Sequence, residues 1–409
     1  MTHKRFYNRK NLWGSLVGAV ILAVIMYFLN NLPILTGENF GALKAVQELC
    51  QYFHMDNTET SDVIFIDVGY DKKLVECFDT RTGKNIGNIP ITDRTKLREL
   101  LNILECSGYK YIVLDILLDS TYDTEEDSLL YEQIGRMNNI VLSGDKETPI
   151  VRQIQGKTAM ADYFASSVVS KSYSREEYLR PSGFSWGVKC ANDLESVPLA
   201  IYEELYPEHS FKRYGYGRFS LYFSSGRLCH NCLFPTFSTE EEPSYLRADL
   251  ISWYNEYRKE GKTEKESIET VLGDKLENTI FVIGDMTNDI HETYSGDKSG
   301  GLILYRAFKS LEDGKHIVGM WSFLFWFLLY FIIGFFMTSE KSFITIIPQV
   351  SRPGLRVLMY FISLLPFSLL LLAGQALCYI SDAYMPSILF PIVWFSILKM
   401  YVEFKSFAK

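Results

Sequence analysis

Four apolar stretches divide this chain, and they constrain its fold more tightly than any motif in it. Leu12 to Leu29 is a run of 18 residues without a charge, and Ile317 to Met337 is another of 21. Val357 to Ile380 makes a third and Pro386 to Val402 a shorter fourth, with Lys399 close enough to its end to reach an interface. A helix rises 1.5 Å per residue, so about 20 apolar residues cross a hydrocarbon core. In lipid every backbone N–H and C=O must find a partner within the protein, which makes helices the expected form of all four. The layout that follows has residues 1–11 in the cytoplasm, spans at 12–29, 317–337, 357–380 and 386–402, and a large polar domain at 30–316. A loop at 338–356, a short outer loop at 381–385 and a tail at 403–409 complete it.

Orientation follows from the basic residues. Lys4, Arg5, Arg9 and Lys10 precede the first span, Lys341, Arg352 and Arg356 lie between the second and third, and Lys399, Lys405 and Lys409 close the chain. The 381–385 loop has none. The positive-inside rule then puts both termini in the cytoplasm and exports residues 30–316 to the periplasm or extracellular side. Leu29-Asn30-Asn31-Leu32-Pro33 offers no small-x-small cleavage site, so the first span reads as a retained anchor.

Charge divides the chain the same way. Residues 30–316 hold 31 Lys plus Arg against 46 Asp plus Glu, and the remainder holds 10 against 3. A domain this acidic lacks the positive field that nucleic acid or anionic lipid requires, and suits cations or polar small molecules instead. Its length is ample for a full core. Cys50, Cys77, Cys106, Cys190, Cys229 and Cys232 lie in it, with Cys378 in the third span. Cys229-His230-Asn231-Cys232 is a CxxC without a second CxxC or CxxH, so it reads as a local disulfide, a redox pair or two unpaired thiols rather than a metal site.

Within the domain the hydrophobic pattern alternates. Asp62-Val-Ile-Phe-Ile-Asp67 is a compact strand, Leu74–Phe78 and Ile86–Ile91 flank a Gly-containing hairpin loop, and Leu97, Leu100, Leu101 and Leu104 line a helix capped at Thr92 or Asp93. Tyr111–Leu118 is a continuous apolar strand, Glu125–Asn138 a helix, and Asn139–Gly144 a further strand. Strands apolar on both faces, separated by helices, predict an α/β layer with a largely parallel sheet. From Ile150 to Glu242 aromatics and glycines intermix, which predicts a β-rich insertion whose Phe184, Trp186, Tyr214, Tyr216, Phe219, Tyr222 and Phe223 read as core or cross-strand pairs before a sugar platform. Tyr245–Leu276 reads as helical. Thr279–Asp285 closes the sheet, a glycine-rich turn at Gly296–Gly301 follows, and a helix from Leu302 to Leu311 runs almost directly into the second span.

The candidate ligand-binding residues are Asp67, Asp115, Asp285, Asp289 and His291, because three of these acids fall within or at the end of apolar strands and open α/β sheets bind ligands beyond the carboxyl ends of their strands. A divalent cation or an amine-bearing ligand suits that charge; no resident cofactor is expected. The other reading is that these acids cap turns and helix starts. Asp119, Asp123, Glu125, Glu126 and Asp127 lack the EF-hand spacing and read as helix capping and solvated charge. GxSxG, HExxH and paired His-x-His motifs are absent, so the reading is not enzymatic.

Taken in order, Val63–Asp67, the Leu97 helix ending at Gly108, Tyr111–Leu118, Asp127 with Leu129, Ile140–Ser143, and Ile280–Asp285 followed by Asp289, His291 and the Gly300-Gly301 helix resemble the second type of CHASE domain. That family comprises extracytoplasmic sensory modules of bacterial receptors, commonly with one membrane span before and three after. Two features depart from it: Glu292-Thr293-Tyr294 carries no proline where the family has Thr-Pro, and Arg306-Ala307-Phe308 stands where it has His-Ala-Asn. The resemblance implies a multi-pass protein of the bacterial inner membrane that senses a small ligand or envelope state. Family members usually continue into an output domain, and only about seven residues follow the fourth span, so a separate partner protein is the expected output. A homo-oligomer stays open. A structural subunit of an envelope complex and, behind it, an extracytoplasmic hydrolase are the alternatives.

Overall fold

The computed structural model describes residues 9–29, 62–79, 81–116, 118, 124–144, 196–209, 211–214, 221–229, 245–247, 249–273, 276–293, 296–338, 353–381 and 386–407, with strand pieces at 158–160, 184–185 and 232–233 and single helical positions at 45, 48 and 52. Helix α1 (Arg9–Leu29) leads. The polar domain opens with β1 (Val63–Asp67), a ribbon of β2 (Lys72–Phe78) and β3 (Asn85–Thr92), and α2 (Arg94–Glu105). It continues with β4 (Tyr111–Asp115), α3 (Asp127–Arg136), β5 (Ile140–Gly144) and β6 (Thr158–Met160). The insertion holds β7 (Phe184–Ser185), α4 (Val197–Leu205), β8 (Phe211–Tyr214), β9 (Leu221–Ser224), β10 (Arg227–Cys229) and β11 (Cys232–Leu233). Then come β12 (Tyr245–Arg247), α5 (Leu250–Lys259), α6 (Glu264–Leu272), β13 (Ile280–Gly284), β14 (Ile290–Thr293), β15 (Gly296–Ser299) and α7 (Gly300–Glu312). Helices α8 (Met320–Thr338), α9 (Pro353–Ile380) and α10 (Leu389–Phe407) finish the chain.

Six strands form one sheet in the order β12-β1-β13-β4-β5-β6, and every neighbouring pair is parallel. Strand alternation sends the two sets of side chains into two cores. Phe65, Val113, Val141 and Val282 face α4 and α7, while Ile66, Leu114, Leu142, Phe281 and Ile283 face α2, α3, α5 and α6. The protein is an α/β sandwich, as the continuous apolar strands predict. Its helices start where the side chains supply caps: Asp93 accepts from the backbone N–H groups of Thr95 and Lys96, and Thr263 with Glu266 closes a capping box at α6.

Three local expectations are corrected. Tyr245–Arg247 is not the start of a helix but the sheet's edge strand, where it meets the open side of β1. Gly296–Ser299 is not a turn but one side of a ribbon with Ile290–Thr293. Within the insertion, which is β-rich as expected, α4 places Val197, Ile201 and Tyr202 in the core. Ser196 caps it and Pro198 sits in its first turn, two helix-start signals within an aromatic-rich stretch. The aromatic reading holds where it lies within the described residues: Tyr222 is core, and Tyr214 and Phe223 make an edge-to-face pair at 5.7 Å. Trp186, Tyr216 and Phe219 lie outside the described residues.

All four apolar stretches are helical. Two of these helices, Asn11–Leu29 and Met320–Thr338, are long and apolar enough to cross a membrane, with mean hydropathies of 2.3 and 2.0. The apolar described lengths of the other two, Leu364–Ile380 and Leu389–Tyr401, are shorter. Together they pack one bundle around Leu22, Met26, Trp326, Tyr330, Leu371 and Phe395.

Candidate functional site

The register of the sheet decides where the acids go. Asp67 at the end of β1 pairs with Gly284 of β13, and Gly284 pairs with Asp115 at the end of β4. All three follow Phe65, Val282 and Val113 by two positions, so they share the face turned toward α4 and α7. One step along β5, beyond the Leu114 and Leu142 pair, Ser143 extends the same row. Asp285 follows Gly284 directly, and the turn after it delivers Asp289 and His291. The five residues singled out in the sequence are therefore gathered at the carboxyl edge of the sheet.

Within that edge they divide by the bonds they make. Asp67 is 4% exposed, and its Oδ1 accepts from the backbone N–H of Gly69 at 2.9 Å and of Met286 at 3.1 Å. Asp285 Oδ1 accepts from the backbone N–H and the side-chain amide of Asn288 at 2.9 and 3.0 Å, and Lys72 lies 3.5 Å from Oδ2. Burial pushes the Asp285 carboxyl up, but the Asn288 bonds and the Lys72 ammonium outweigh it and hold the group below its ordinary value. These two acids staple the loops at the edge. A side chain at Gly69 would run into Asp285 Oδ1 and lie 2.9 Å from its Cγ, so this glycine permits the close approach.

The remaining three form a second group. His291 Nε2 lies 3.0 Å from Asp289 Oδ1. The Asp115 carboxyl, half-buried, is pushed up to about 7 by burial and by the neighbouring Asp289 charge, with the Ser143 hydroxyl and His291 pulling the other way. It is thus a carboxyl poised to change its charge near neutral pH beside a His–Asp pair. Among the described residues no group of three or more His, Cys, Asp and Glu side chains is placed to hold a metal ion.

No family model, curated protein or solved structure matches this chain.

Sequence reasoning missed several residues at this edge. Arg94 Nε and Asp127 Oδ1 make an ion pair at 2.9 Å, both side chains nearly inaccessible, that ties the first turns of α2 and α3 together. Asp127 also accepts from the backbone N–H of Thr124 at 2.7 Å. The acidic run Glu125–Asp127 signals a helix start, but nothing in it marks one acid as buried against a basic residue 33 positions earlier. Glu126 pairs with Lys73 at 3.1 Å, and Asp119 and Asp123 lie outside the described residues. Cys229 is a free, buried thiol whose Sγ donates to the Arg227 carbonyl, and burial pushes its pKa up to about 12, which keeps it protonated. That is the opposite of what a redox-active thiol needs. The side chain of Cys232 lies outside the described residues.

Proposed function

We propose that this protein is a membrane-bound sensor. Its polar domain, exported to the periplasm or extracellular side, binds a small ligand at the Asp115, Asp289 and His291 edge and passes that state through the helix bundle to a partner protein. The observation that supports this is the path of α7. Its first N–H, at Gly300, donates to the Asp289 carbonyl at 3.0 Å, and its body is buried from Gly300 to Phe308. At 13 residues it is about 20 Å long, and it ends at Glu312, seven residues before α8 begins. One rigid element thus connects the acid edge to the bundle. Gly301 sharpens the connection, because a side chain there would lie 2.8 Å from Val282 Cγ1 and 2.7 Å from Met286 Cε; the helix seats directly on the strand that carries the site.

The proposal extends to four membrane-crossing helices with both termini in the cytoplasm of a bacterial inner-membrane protein, the arrangement implied by the resemblance to the second type of CHASE domain and by the distribution of basic residues. An organic ammonium or a divalent cation is the ligand chemistry that the net acidity favours. Photo-crosslinking in cells from the 338–356 loop, comparing wild type with Asp289→Asn, tests it. The sensor reading expects the variant to change the yield of a crosslinked partner several-fold. Equal crosslinking in both would instead favour a constitutive structural subunit.

A further inference from the structure

The insertion hairpin β9–β10 makes contacts that the proposed α7 route does not use. Its strands alternate between the core beneath α4 and α7 and the helix bundle. Tyr222 and Cys229 point into the core beneath α4 and α7, while Leu221 and Leu228 pack against the helix bundle. From this position the hairpin holds two apolar helices. The Tyr27 hydroxyl of α1, on a side chain 5% exposed, donates to the Cys229 carbonyl at 2.6 Å and stands 3.4 Å from the backbone N–H of Tyr222. On the other side Cys229 bridges Ile317, and the Val318 backbone N–H donates to the Leu228 carbonyl at 2.8 Å. Ile317 and Val318 belong to the short link between α7 and α8.

At the far end the same two helices are joined directly. Asn11 Nδ2 donates to the Thr338 carbonyl at 3.0 Å, and the Ser15 and Thr338 hydroxyls lie 3.1 Å apart. Ser15 packs against α8 beside Gly334. So the antiparallel pair α1 and α8 is pinned by its own side chains at the Thr338 end and, at the Tyr27 end, by a hairpin contributed from the insertion.

We infer that the Leu221–Cys229 hairpin is a clasp that sets the spacing of α1 and α8 at their Tyr27 end, giving the insertion its own route into the bundle, separate from α7. The clasp requires no ligand at the acid edge, so it stands whether or not the sensor reading does. Hydrogen–deuterium exchange and label-to-label distances on the full-length protein in lipid nanodiscs test it. Tyr27→Phe keeps the ring and deletes the hydroxyl. It should raise exchange at the Tyr222 and Val318 amides about 3- to 10-fold, the loss of one buried hydrogen bond. It should also broaden the α1–α8 distance at the Tyr27 end while Ile280–Gly284 stays protected. Leu228→Ala, which loosens the hairpin from the bundle side, should do the same. Ser15→Ala should leave Val318 unmoved. Unchanged exchange at Val318 and an unchanged distance in both hairpin variants would overturn the clasp, as would an equal response to Ser15→Ala.

Discussion

The two edges of the central sheet carry similar side chains and treat them differently. At the carboxyl edge, among the described residues, Asp67 and Asp115 pair with no Lys or Arg, and Asp67 and Asp285 are held largely by backbone N–H groups and an asparagine. At the opposite edge, acids are matched by phenols and ammonium groups. Tyr111 donates to Glu204 at 2.6 Å, and Glu312 at the end of α7 accepts from Tyr206 and pairs with Lys309 and, at 3.3 Å, with Lys110. Burial raises the Glu312 carboxyl, but these partners outweigh it and hold it below its ordinary value. Both edges lie at the ends of α7. The opposite edge fixes that helix beside the bundle, and under the sensor role proposed above Asp115 at the carboxyl edge is the group that a ligand would meet. Under the sensor role proposed above, this difference gives α7 a firm end and a responsive one about 20 Å apart.

The sharpest test of that contrast is the buried ion pair of Arg94 and Asp127 at the carboxyl edge. Asp127→Ala would leave the Arg94 guanidinium buried without its counter-charge, and should lower the stability of the full-length protein by about 3–5 kcal/mol in thermal unfolding. A smaller loss would mean that the α2 and α3 starts are held by packing alone. The next effect comes from Asp115. Its carboxyl is raised from 3.8 to about 7 by burial and by Asp289, so its contribution to stability is complete below about pH 4 and is lost as pH rises through about 7. Wild type should therefore lose up to about 4 kcal/mol across that window relative to Asp115→Asn, whose side chain does not titrate. Parallel unfolding curves from pH 4 to pH 8 would show that Asp115 ionises without cost and that the edge is less responsive than its geometry implies.

How far these edges were legible in the sequence follows from the range of each signal. The strands β1, β4, β5 and β13 announce themselves, because residues buried on both faces must be apolar at every position. Placing Asp67, Asp115 and Asp285 at one edge then needs only that the strands run parallel. What the sequence does not carry is pairing at long separation. Nothing near Arg94 points to Asp127, and nothing near Lys110 points to Glu312, 202 positions away. Nor does a strand as short as Tyr245–Arg247 build a period, so a polar helical stretch beginning at Tyr245 absorbs it. The division of the acids into staples and titrating groups was equally hidden, since it depends on which backbone N–H groups the loops turn inward. Gly69 is the one local sign of it, a glycine two residues after Asp67.

At the firm edge the effects should be smaller, because each acid there has a partner to spare or water nearby. Tyr111→Phe deletes the phenol that donates to Glu204 and keeps the ring in the core, and should cost about 1–2 kcal/mol, read as a lower unfolding temperature. The smallest change tests the responsive edge again. Lys72 is 31% exposed and sits 3.5 Å from Asp285, so Lys72→Ala should alter stability at neutral pH by less than about 0.5 kcal/mol. That small difference should be present across neutral pH and vanish on the acid side, where Asp285 is protonated in both proteins. A carboxyl held below its ordinary value stabilises the fold at pH above that value, and the contribution is lost as pH falls through the folded pKa. Removing Lys72 lifts the folded pKa of Asp285 toward the ordinary range, so the gap between variant and wild type should close as pH falls through that pKa. If the acid limbs coincide while the neutral-pH stabilities agree, Asn288 alone holds Asp285. The ammonium would then be a bystander, and the carboxyl edge would carry one more uncompensated charge.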